Sequence, residues 1–356
     1  MKRHGNAAAA ADCENRDGCV RAKGWSRRDF VTRMTLTGTA AILGMRAVPA
    51  AAEPPPETTR IRLVKNLGLC VAPEFVAEEF LRAEGFTDIQ YVPETEKTGT
   101  AEELALGQAD ITMAFAAPLI VRVDAGEPVV MLGGVHVGCY ELFANEPVRA
   151  VRDLRGKRVA VLAIGSSHHL YLSSMASYVG LDPRRDITWV PASRIEAKRL
   201  LAEGKVDAYL AFPPDPQELR ARGIGHVVVN SSVDRPWSQY FCCMAAGNRE
   251  FVQRHPVATK RAVRAILKAT DLCAAQPARV AHMLVDRGYV QSYEYALQTM
   301  RDVPYHRWRE YSSEDTVRFY ALRLQEVGLI KASPQKIITQ GTDWRFLNEL
   351  KKELKA

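Results

Sequence analysis

Twelve consecutive residues occur twice in this chain in similar form. Leu104–Phe115 has the sequence LALGQADITMAF, and Leu201–Phe212 has the sequence LAEGKVDAYLAF. In each copy a helix is expected to end at a glycine able to adopt the left-handed conformation, and a short apolar strand follows. Two distant copies in a chain without an array of repeats predict two similar lobes. The alternative is two unrelated helix-to-strand transitions that share common residues.

The order of the predicted elements indicates the fold class. Strands alternate with helices from Ile61 to about Ala246, which predicts α/β lobes with largely parallel sheets, and from Glu250 onward the pattern is mainly helical. In open α/β sheets the carboxyl ends of the strands face the crevice where ligands bind. Phe115 and Phe212 end the two repeated strands, so we expect one ligand to lie between the lobes.

The first 52 residues have the composition of an export signal. Ser26–Val31 resembles the twin-arginine motif, a weakly apolar stretch follows from Met34 to Met45, and Ala50–Ala52 offers a processing site. A cytoplasmic tail with a chance Arg-Arg pair is the alternative. The apolar stretch is too short to span a bilayer, and no later run approaches the necessary ~18 residues. A periplasmic protein that is not integral to the membrane is therefore expected.

The charge of the chain argues against a nucleic-acid partner. The net charge is +7, but residues 1–52 hold nine basic and four acidic residues, so 39 basic and 37 acidic residues remain after them. No basic stripe with interleaved aromatic residues is present in that remainder. The alkaline character is therefore largely a property of the leader.

Five cysteines follow the leader, which itself contains Cys13 and Cys19. Cys242 and Cys243 are neighbours in a predicted strand, Tyr240–Ala246, where successive side chains point to opposite faces. We interpret them as two buried small hydrophobic residues rather than a redox or metal motif. Adjacent His168 and His169 point about 100° apart on a helix and rarely chelate one ion, so no metal ligand is predicted.

Four features together resemble a known family. They are the loop after the first strand (68–73), the duplicated G-x-[AV]-D element, the segment Asp153–Val159 and the helix start at Gly165–Ser167. In this order they are similar to periplasmic solute-binding proteins of ABC transporters of the nitrate/sulfonate/taurine and thiamine-precursor type. The resemblance covers residues 60–256 well and the helical tail loosely.

The resemblance implies the type II periplasmic-binding-protein fold, in which two α/β lobes joined by two crossing strands enclose a ligand cleft. We expect a leader over 1–52, the first part of lobe 1 over 53–144, lobe 2 over 145–243, and the return to lobe 1 with C-terminal helices over 244–356. The crossings are expected near Leu142–Asn145 and Cys242–Ala246.

Predicted ligand contacts come from the loops at the strand ends. The helix start at Gly165–Ser167 exposes unpaired N–H groups suited to an electronegative ligand group, although Ser166 or Ser167 could simply cap the helix. Phe115 and Phe212 would stack on a flat ligand or pack in the core, and Arg194 would contact an anion or lie solvated at its helix end. The full predicted set is Gly68, Leu69, Phe115, Ala116, His136, Gly165, Ser166, Ser167, His168, Arg194, Phe212, Pro213 and Tyr240.

The resemblance therefore implies a monomeric receptor that binds a small anionic or heterocyclic solute and delivers it to a permease and an ATPase. No cofactor, catalytic residue or nucleic-acid contact is expected, because no nucleophile, phosphate-binding or paired-acid motif rises above chance. A ligand sensor is one alternative. A thiamine-pyrimidine synthase is another, although the cysteine-rich signature of those enzymes is not recognisable.

Overall fold

The computed structural model describes residues 53–94 and 99–354, so the predicted twin-arginine leader lies outside the described residues. Residues Pro54–Ala356 form one compact unit. The described part of this unit contains ten strands: β1 (Arg60–Lys65), β2 (Asp88–Pro93), β3 (Ile111–Phe115), β4 (Val129–Val137), β5 (Glu141–Ala144), β6 (Lys157–Val161), β7 (Ile187–Pro191), β8 (Ala208–Ala211), β9 (His226–Asn230) and β10 (Phe241–Asn248).

Helices connect these strands and then form the C-terminal part of the chain. Those between the strands are α1 (Ala72–Val76), α2 (Glu78–Ala83), α3 (Thr100–Ala105), α4 (Ala116–Asp124), α5 (Ser167–Tyr178), α6 (Arg194–Ala202) and α7 (Asp215–Arg222). Those after β10 are α8 (Arg249–Arg254), α9 (Pro256–Ala275), α10 (Pro277–Asp286), α11 (Tyr293–Asp302), α12 (Ser313–Glu326), α13 (Pro334–Gly341) and α14 (Arg345–Glu353). Within 53–94 and 99–354, none of the helices has the length and apolar character that crossing a membrane requires.

Three sheets divide the strands between two lobes. The first lobe holds the parallel pair β1-β2 and the antiparallel sheet β3-β10-β4, whereas the second lobe holds the sheet β7-β6-β8-β5-β9. Phe115 therefore ends β3 in one lobe and Phe212 follows β8 in the other, and the predicted two-lobed α/β fold is confirmed. The C-terminal helices pack mainly on the first lobe, and α12 also contacts α5 of the second lobe.

The strands change sheets slightly earlier than the predicted crossings. β5 pairs with β8 and β9 in the second lobe, and β10 pairs with β3 and β4 in the first. The two crossing segments are therefore 138–140 and 231–240, ahead of the boundaries expected at 144 and 243. The expected crossings fall on β5 and β10, the strands that follow the actual crossing segments. An apolar crossing segment and an apolar strand look alike in sequence.

The two repeat copies make the same contacts. Gly107 and Gly204 both adopt the left-handed conformation, with φ of 69° and 66°. The Asp110 carboxylate accepts hydrogen bonds from the backbone N–H and Nε of Arg62 at 2.8 and 3.2 Å. The Asp207 carboxylate accepts the equivalent pair from Arg158 at 2.7 and 3.4 Å.

The two copies share a further contact: an asparagine side chain donates to the backbone carbonyl of the first residue of each copy. Asn248, which ends β10, donates through its side-chain amide to the carbonyl of Leu104 at 3.1 Å. Asn145, which follows β5, donates to the carbonyl of Leu201 at 2.8 Å. Leu104 and Leu201 are the first residues of the two copies. The repeat is thus a structural duplication of one helix–strand unit, and unrelated transitions would not share these contacts.

Candidate functional site

A cavity of about 390 Å³ lies between the two lobes. Both lobes contribute to its wall at the carboxyl ends of their strands, where ligands bind in open α/β sheets. Six of the predicted ligand-binding residues line it: Gly68, Phe115, Gly165, Ser166, Ser167 and Phe212. The place of the predicted site is therefore consistent with the geometry of the fold.

One part of the cavity wall is aromatic. Tyr140, in the first crossing segment, lies edge-on to Phe115 with ring centroids 5.5 Å apart and edge-on to Phe212 at 6.0 Å. Its ring therefore connects the aromatic ends of the two repeated strands. Phe115 and Phe212 are 6% and 7% exposed, so each is mostly packed and still shows part of its ring to the cavity.

A second part of the wall is the start of α5. The Ser166 hydroxyl accepts a hydrogen bond from the backbone N–H of His169 at 3.4 Å, so Ser166 is the N-cap of the helix. Gly165, at φ 86°, donates its N–H to Nδ1 of His169 at 3.2 Å. The first amides of a helix have no carbonyl one turn earlier to bond, and Ser167, the first residue of α5, lies in the cavity wall.

A third part of the wall is polar and was missed by the sequence analysis. The Glu94 carboxylate accepts hydrogen bonds from the N–H and the hydroxyl of Thr100, both at 2.7 Å, and from the N–H of Leu67 at 2.8 Å. Asn66 donates to the same hydroxyl at 2.7 Å. Burial raises the pKa of Glu94 above its ordinary value despite these donors. No local motif predicts this group, because Glu94 and Asn66 follow different strands.

Arg194 lies outside the cavity wall. It is paired with a carboxylate, so it is neither the free anion contact nor the solvated side chain that the sequence suggested. Its guanidinium forms two hydrogen bonds of 2.9 Å to the buried Asp215 carboxylate. It also donates to the carbonyl of Leu67 in the first lobe at 3.0 Å and lies 4.5 Å above the Phe212 ring. Arg194 therefore connects the lobes behind the aromatic wall.

Leu69 and Pro213 also connect the lobes rather than line the cavity. The backbone N–H of Leu69 donates to the carbonyl of Pro213 at 3.0 Å. Ala116 is fully buried at the start of α4, and Tyr240 stacks on Phe319 with centroids 3.9 Å apart. None of these four residues is part of the cavity wall.

His168 is a buried packing residue next to the site. Its ring lies 4.9 Å from the Phe212 ring and parallel to that of Tyr209. Burial, with a further contribution from Arg194, lowers the pKa of His168 to about 3, so the imidazole is neutral. Burial likewise lowers the pKa of His169 to about 4.

The structure also brings together four cysteines that the sequence analysis treated separately. Cys70, Cys139, Cys242 and Cys243 are all buried, and the Sγ atoms of Cys139 and Cys242 are 3.0 Å apart. His136, also predicted to contact ligand, is fully buried beside them. The hydrogen bonds of the Cys139 and Cys243 thiols to Cys70, together with nearby His136, hold the pKa of Cys70 well below its usual range.

The local backbone explains why Cys242 and Cys243 reach the same cluster. The register of β10 against β4 is irregular on both sides of Cys243. Such a bulge breaks the alternation of side chains between the two faces of a strand. The prediction of opposite faces for these two residues assumed a regular strand, and it was wrong for this reason.

Comparison with known proteins identifies the family. Residues 70–280 match the NMT1/THI5 like family model. The periplasmic nitrate-binding protein NrtA from Synechocystis PCC 6803 has a similar structure, with a TM-score of 0.70 and 16% identity over 85% of this chain and 90% of that one. The alkanesulfonate-binding protein SsuA from Xanthomonas axonopodis pv. citri, bound to MOPS, has a TM-score of 0.61 and 19% identity over 79% and 97%.

An enzyme also shares this fold. The desulfurization enzyme DSZB has a TM-score of 0.57 and 18% identity over 83% of this chain and 99% of that one. No curated protein sequence matches the chain. The family model spans more than half of the sequence and the solved structures share its two-lobed fold, so the chain belongs to the NMT1/THI5-like family and has the periplasmic-binding-protein fold.

Proposed function

We propose that this protein is the solute-binding component of an ABC importer and captures one small molecule between its lobes. The observation that carries the proposal is the cavity of about 390 Å³ whose wall comes from both lobes. A ligand held there would contact both lobes and favour the closed arrangement, which a membrane permease and its ATPase could recognise. The protein would act in the periplasm after export directed by the leader. Cell fractionation tests this location.

Within the predicted solute class, the cavity favours a flat heterocycle over a small inorganic oxyanion. Its volume falls in the range of organic-ligand pockets, which is ~300–1,000 Å³. The described wall carries one cationic side chain, Arg122, and this is paired with Glu102 at 3.0 Å and Glu127 at 3.2 Å. An oxyanion would therefore find its countercharge already engaged, whereas a ring would find aromatic neighbours.

The polar groups of the wall suggest how such a heterocycle would be oriented. The amide end of α5 and the Ser167 hydroxyl would donate to a ring nitrogen or oxygen, and the Glu94 carboxylate would accept from a ring N–H or amino group. The Phe115, Tyr140 and Phe212 rings would contact the apolar edge or face. We propose that the solute is bound without chemical conversion, so it should be recovered unchanged.

Thermal denaturation against a panel of heterocycles, sulfonates and nitrate tests the proposed ligand class. A heterocycle present at 100 times its Kd should add about 2.7 kcal/mol to the free energy of unfolding. Nitrate and sulfonates are expected to leave the transition unchanged. Stabilisation by an oxyanion alone would contradict the class, and recovery of a converted product would favour an enzyme.

Ser166 and Ser167 offer a matched pair of variants at the start of α5. Ser166→Ala removes the N-cap and should lower the stability of the empty protein by about 1 kcal/mol. Ser167→Ala removes a 3.4 Å contact with Nδ1 of the buried His168, so it should lower that stability less than Ser166→Ala does, and it should weaken binding of the ligand found in the panel by about 0.5–1.5 kcal/mol. Denaturant unfolding without ligand and calorimetric titration with ligand measure the two effects. The opposite assignment of effects to the two serines would place the ligand elsewhere.

A further inference from the structure

Four cysteines and one histidine from distant parts of the chain form one buried cluster at the wall of the cavity. The thiol cluster, as we call it, consists of Cys70, His136, Cys139, Cys242 and Cys243. Cys70 follows β1, His136 and Cys139 lie at the end of β4 and in the first crossing segment, and Cys242 and Cys243 lie in β10. Of these, Cys70, Cys242 and Cys243 line the cavity.

The thiol cluster contains two triads that share His136, and each triad has donor atoms close enough to hold one ion. In the triad Cys70, His136 and Cys243, the donor atoms all lie within 4.8 Å of one another, and the same holds for His136, Cys139 and Cys242. Metal–sulfur bonds of ~2.3 Å in a tetrahedral site separate the sulfur atoms by roughly 3.8 Å. The Sγ atoms of Cys242 and Cys243, one from each triad, are 4.0 Å apart, whereas those of Cys139 and Cys242, at 3.0 Å, would have to separate slightly to bind the same ion.

His136 has the arrangement of a metal-ligating histidine. It is fully buried, its Nδ1 lies 3.4 Å from the carbonyl oxygen of Val137, and its Nε2 has no hydrogen-bond partner among the described residues. Ligating histidines commonly donate one ring N–H to a backbone carbonyl, which leaves the lone pair of the other nitrogen for the metal. An unpaired ring nitrogen at this depth otherwise lowers stability.

Cys139 is held in an unfavourable backbone conformation. Its φ of 124° is the only positive φ of a non-glycine residue within 53–94 and 99–354. Glycine would adopt this conformation without strain. The backbone strain is therefore the cost of having a thiol side chain at this position. The thiol it places in the cluster lies against Cys242.

A disulfide between Cys139 and Cys242 is the competing explanation of the short contact between these thiols. It would use two of the five donor groups and leave His136, Cys70 and Cys243 buried together without a function. A cation shared by thiolate and imidazole donors would use His136 with two or three of the thiols, and the remaining thiols would lie beside it. Soft thiolate ligands select Cu⁺ and Zn²⁺ over Ca²⁺ and Mg²⁺, which prefer oxygen.

We propose that the thiol cluster binds one thiophilic d¹⁰ cation, either Cu⁺ or Zn²⁺. Each ligating thiol would lose its proton to solvent as the metal enters through the cavity. The bound ion would connect the loop after β1 with the first crossing segment and β10, and would thereby stiffen the region where the lobes join. The metal site shares part of the cavity wall with the proposed solute site, but its argument does not rest on the solute, so its failure would leave the solute-binding proposal intact.

Metal titration of the reduced chain tests the site. The full chain carrying Cys13→Ser and Cys19→Ser, which removes the leader thiols, is stripped of metal, reduced and titrated anaerobically with Cu⁺ or Zn²⁺ alone against a chromophoric chelator. One equivalent of one ion should bind, raise the thermal midpoint, and show sulfur with one nitrogen ligand in X-ray absorption. The two arms distinguish Cu⁺ from Zn²⁺.

Two variants and one control assign the binding to the cluster. Cys139→Gly with Cys243→Ala removes a ligand from both triads and should weaken the metal affinity by at least ~100-fold. Cys139→Gly alone relieves the backbone strain, so the thermal midpoint of its metal-free form should be no lower than that of the parent. Because this variant lacks one ligand, its metal affinity should still be weaker than that of the parent. Cys273→Ala, which removes a buried thiol of α9 outside the cluster, should leave the affinity unchanged.

Three results would overturn the proposal. One is the absence of stoichiometric binding of either ion by the reduced chain. Another is an unchanged affinity in the folded double variant. The third is a Cys139–Cys242 disulfide in the isolated protein, detected by mass spectrometry, together with failure to bind metal after its reduction.

Discussion

Asp215→Ala is expected to lower the free energy of unfolding by about 3 kcal/mol, because it removes the buried carboxylate that Arg194 and Lys198 share, although Lys198 keeps its pairing with Glu218. The Asp215 carboxylate is 2% exposed and accepts two hydrogen bonds of 2.9 Å from Arg194 and one of 3.0 Å from Lys198. The hydroxyl of Tyr209 donates a further one at 3.0 Å. Urea denaturation at neutral pH measures the loss.

The contribution of Asp215 should persist over the whole range from weakly acidic to neutral pH. Burial alone would raise the pKa of Asp215, but Arg194 and Lys198 outweigh it and lower the pKa below its ordinary value of 3.8. A depressed pKa gives stability that is present above the unfolded value and lost as the pH falls through the folded one. The difference between Asp215→Ala and the parent should therefore shrink only in strong acid.

Arg199→Ala is the matched control for this network. Arg199 pairs with Glu196 and Glu203 on the exposed surface of α6, the same helix that carries Arg194. Exposed ion pairs contribute little to stability, so no measurable change is expected. If Asp215→Ala were as well tolerated as Arg199→Ala, the buried pairing with Arg194 would not hold the lobes as described.

Glu74→Ala is expected to lower the free energy of unfolding by about 3 kcal/mol or more, because several buried donors lose their acceptor. Glu74 is fully buried in α1 and accepts hydrogen bonds from the backbone N–H groups of Val64 at 3.2 Å and Met113 at 2.6 Å. It also accepts one from the hydroxyl of Thr112 at 2.9 Å. Glu74 thus joins β1 to β3.

Glu74 should also impose a pH dependence on stability. Burial raises its pKa from 4.5 to about 8, so the folded protein keeps a proton that the unfolded chain releases above pH 4.5. The free energy of unfolding should therefore fall as the pH rises from 4.5 to 8, by up to about 1.4 kcal/mol per pH unit. Glu74→Gln should remove this slope, whereas Glu79→Gln at an exposed position of the neighbouring helix should retain it. An unchanged slope in Glu74→Gln would contradict the buried, protonated state.

Local patterns in the sequence were enough to predict the two-lobed architecture. The helix that ends at Gly107 or Gly204 and the apolar strand that follows depend on backbone preferences within a dozen residues, and the sequence repeats them. The same holds for the start of α5 after Gly165. Gly165, Phe115 and Phe212 lie in the wall of the cavity, and their contact with a ligand stays a prediction.

Tertiary structure alone decided the chemistry of the cavity wall and of the residues packed behind it. The pairing of Arg194 with Asp215, the Glu94–Thr100 contact and the thiol cluster each join residues whose neighbours in sequence give no sign of the partner. Cys70, Cys139 and Cys242 meet because the chain crosses between the lobes twice, and a bulge in β10 turns Cys243 to the same side. Side-chain contacts of this kind depend on the register and twist of strands far apart in the chain, whereas helix ends and strand periodicity depend on adjacent residues.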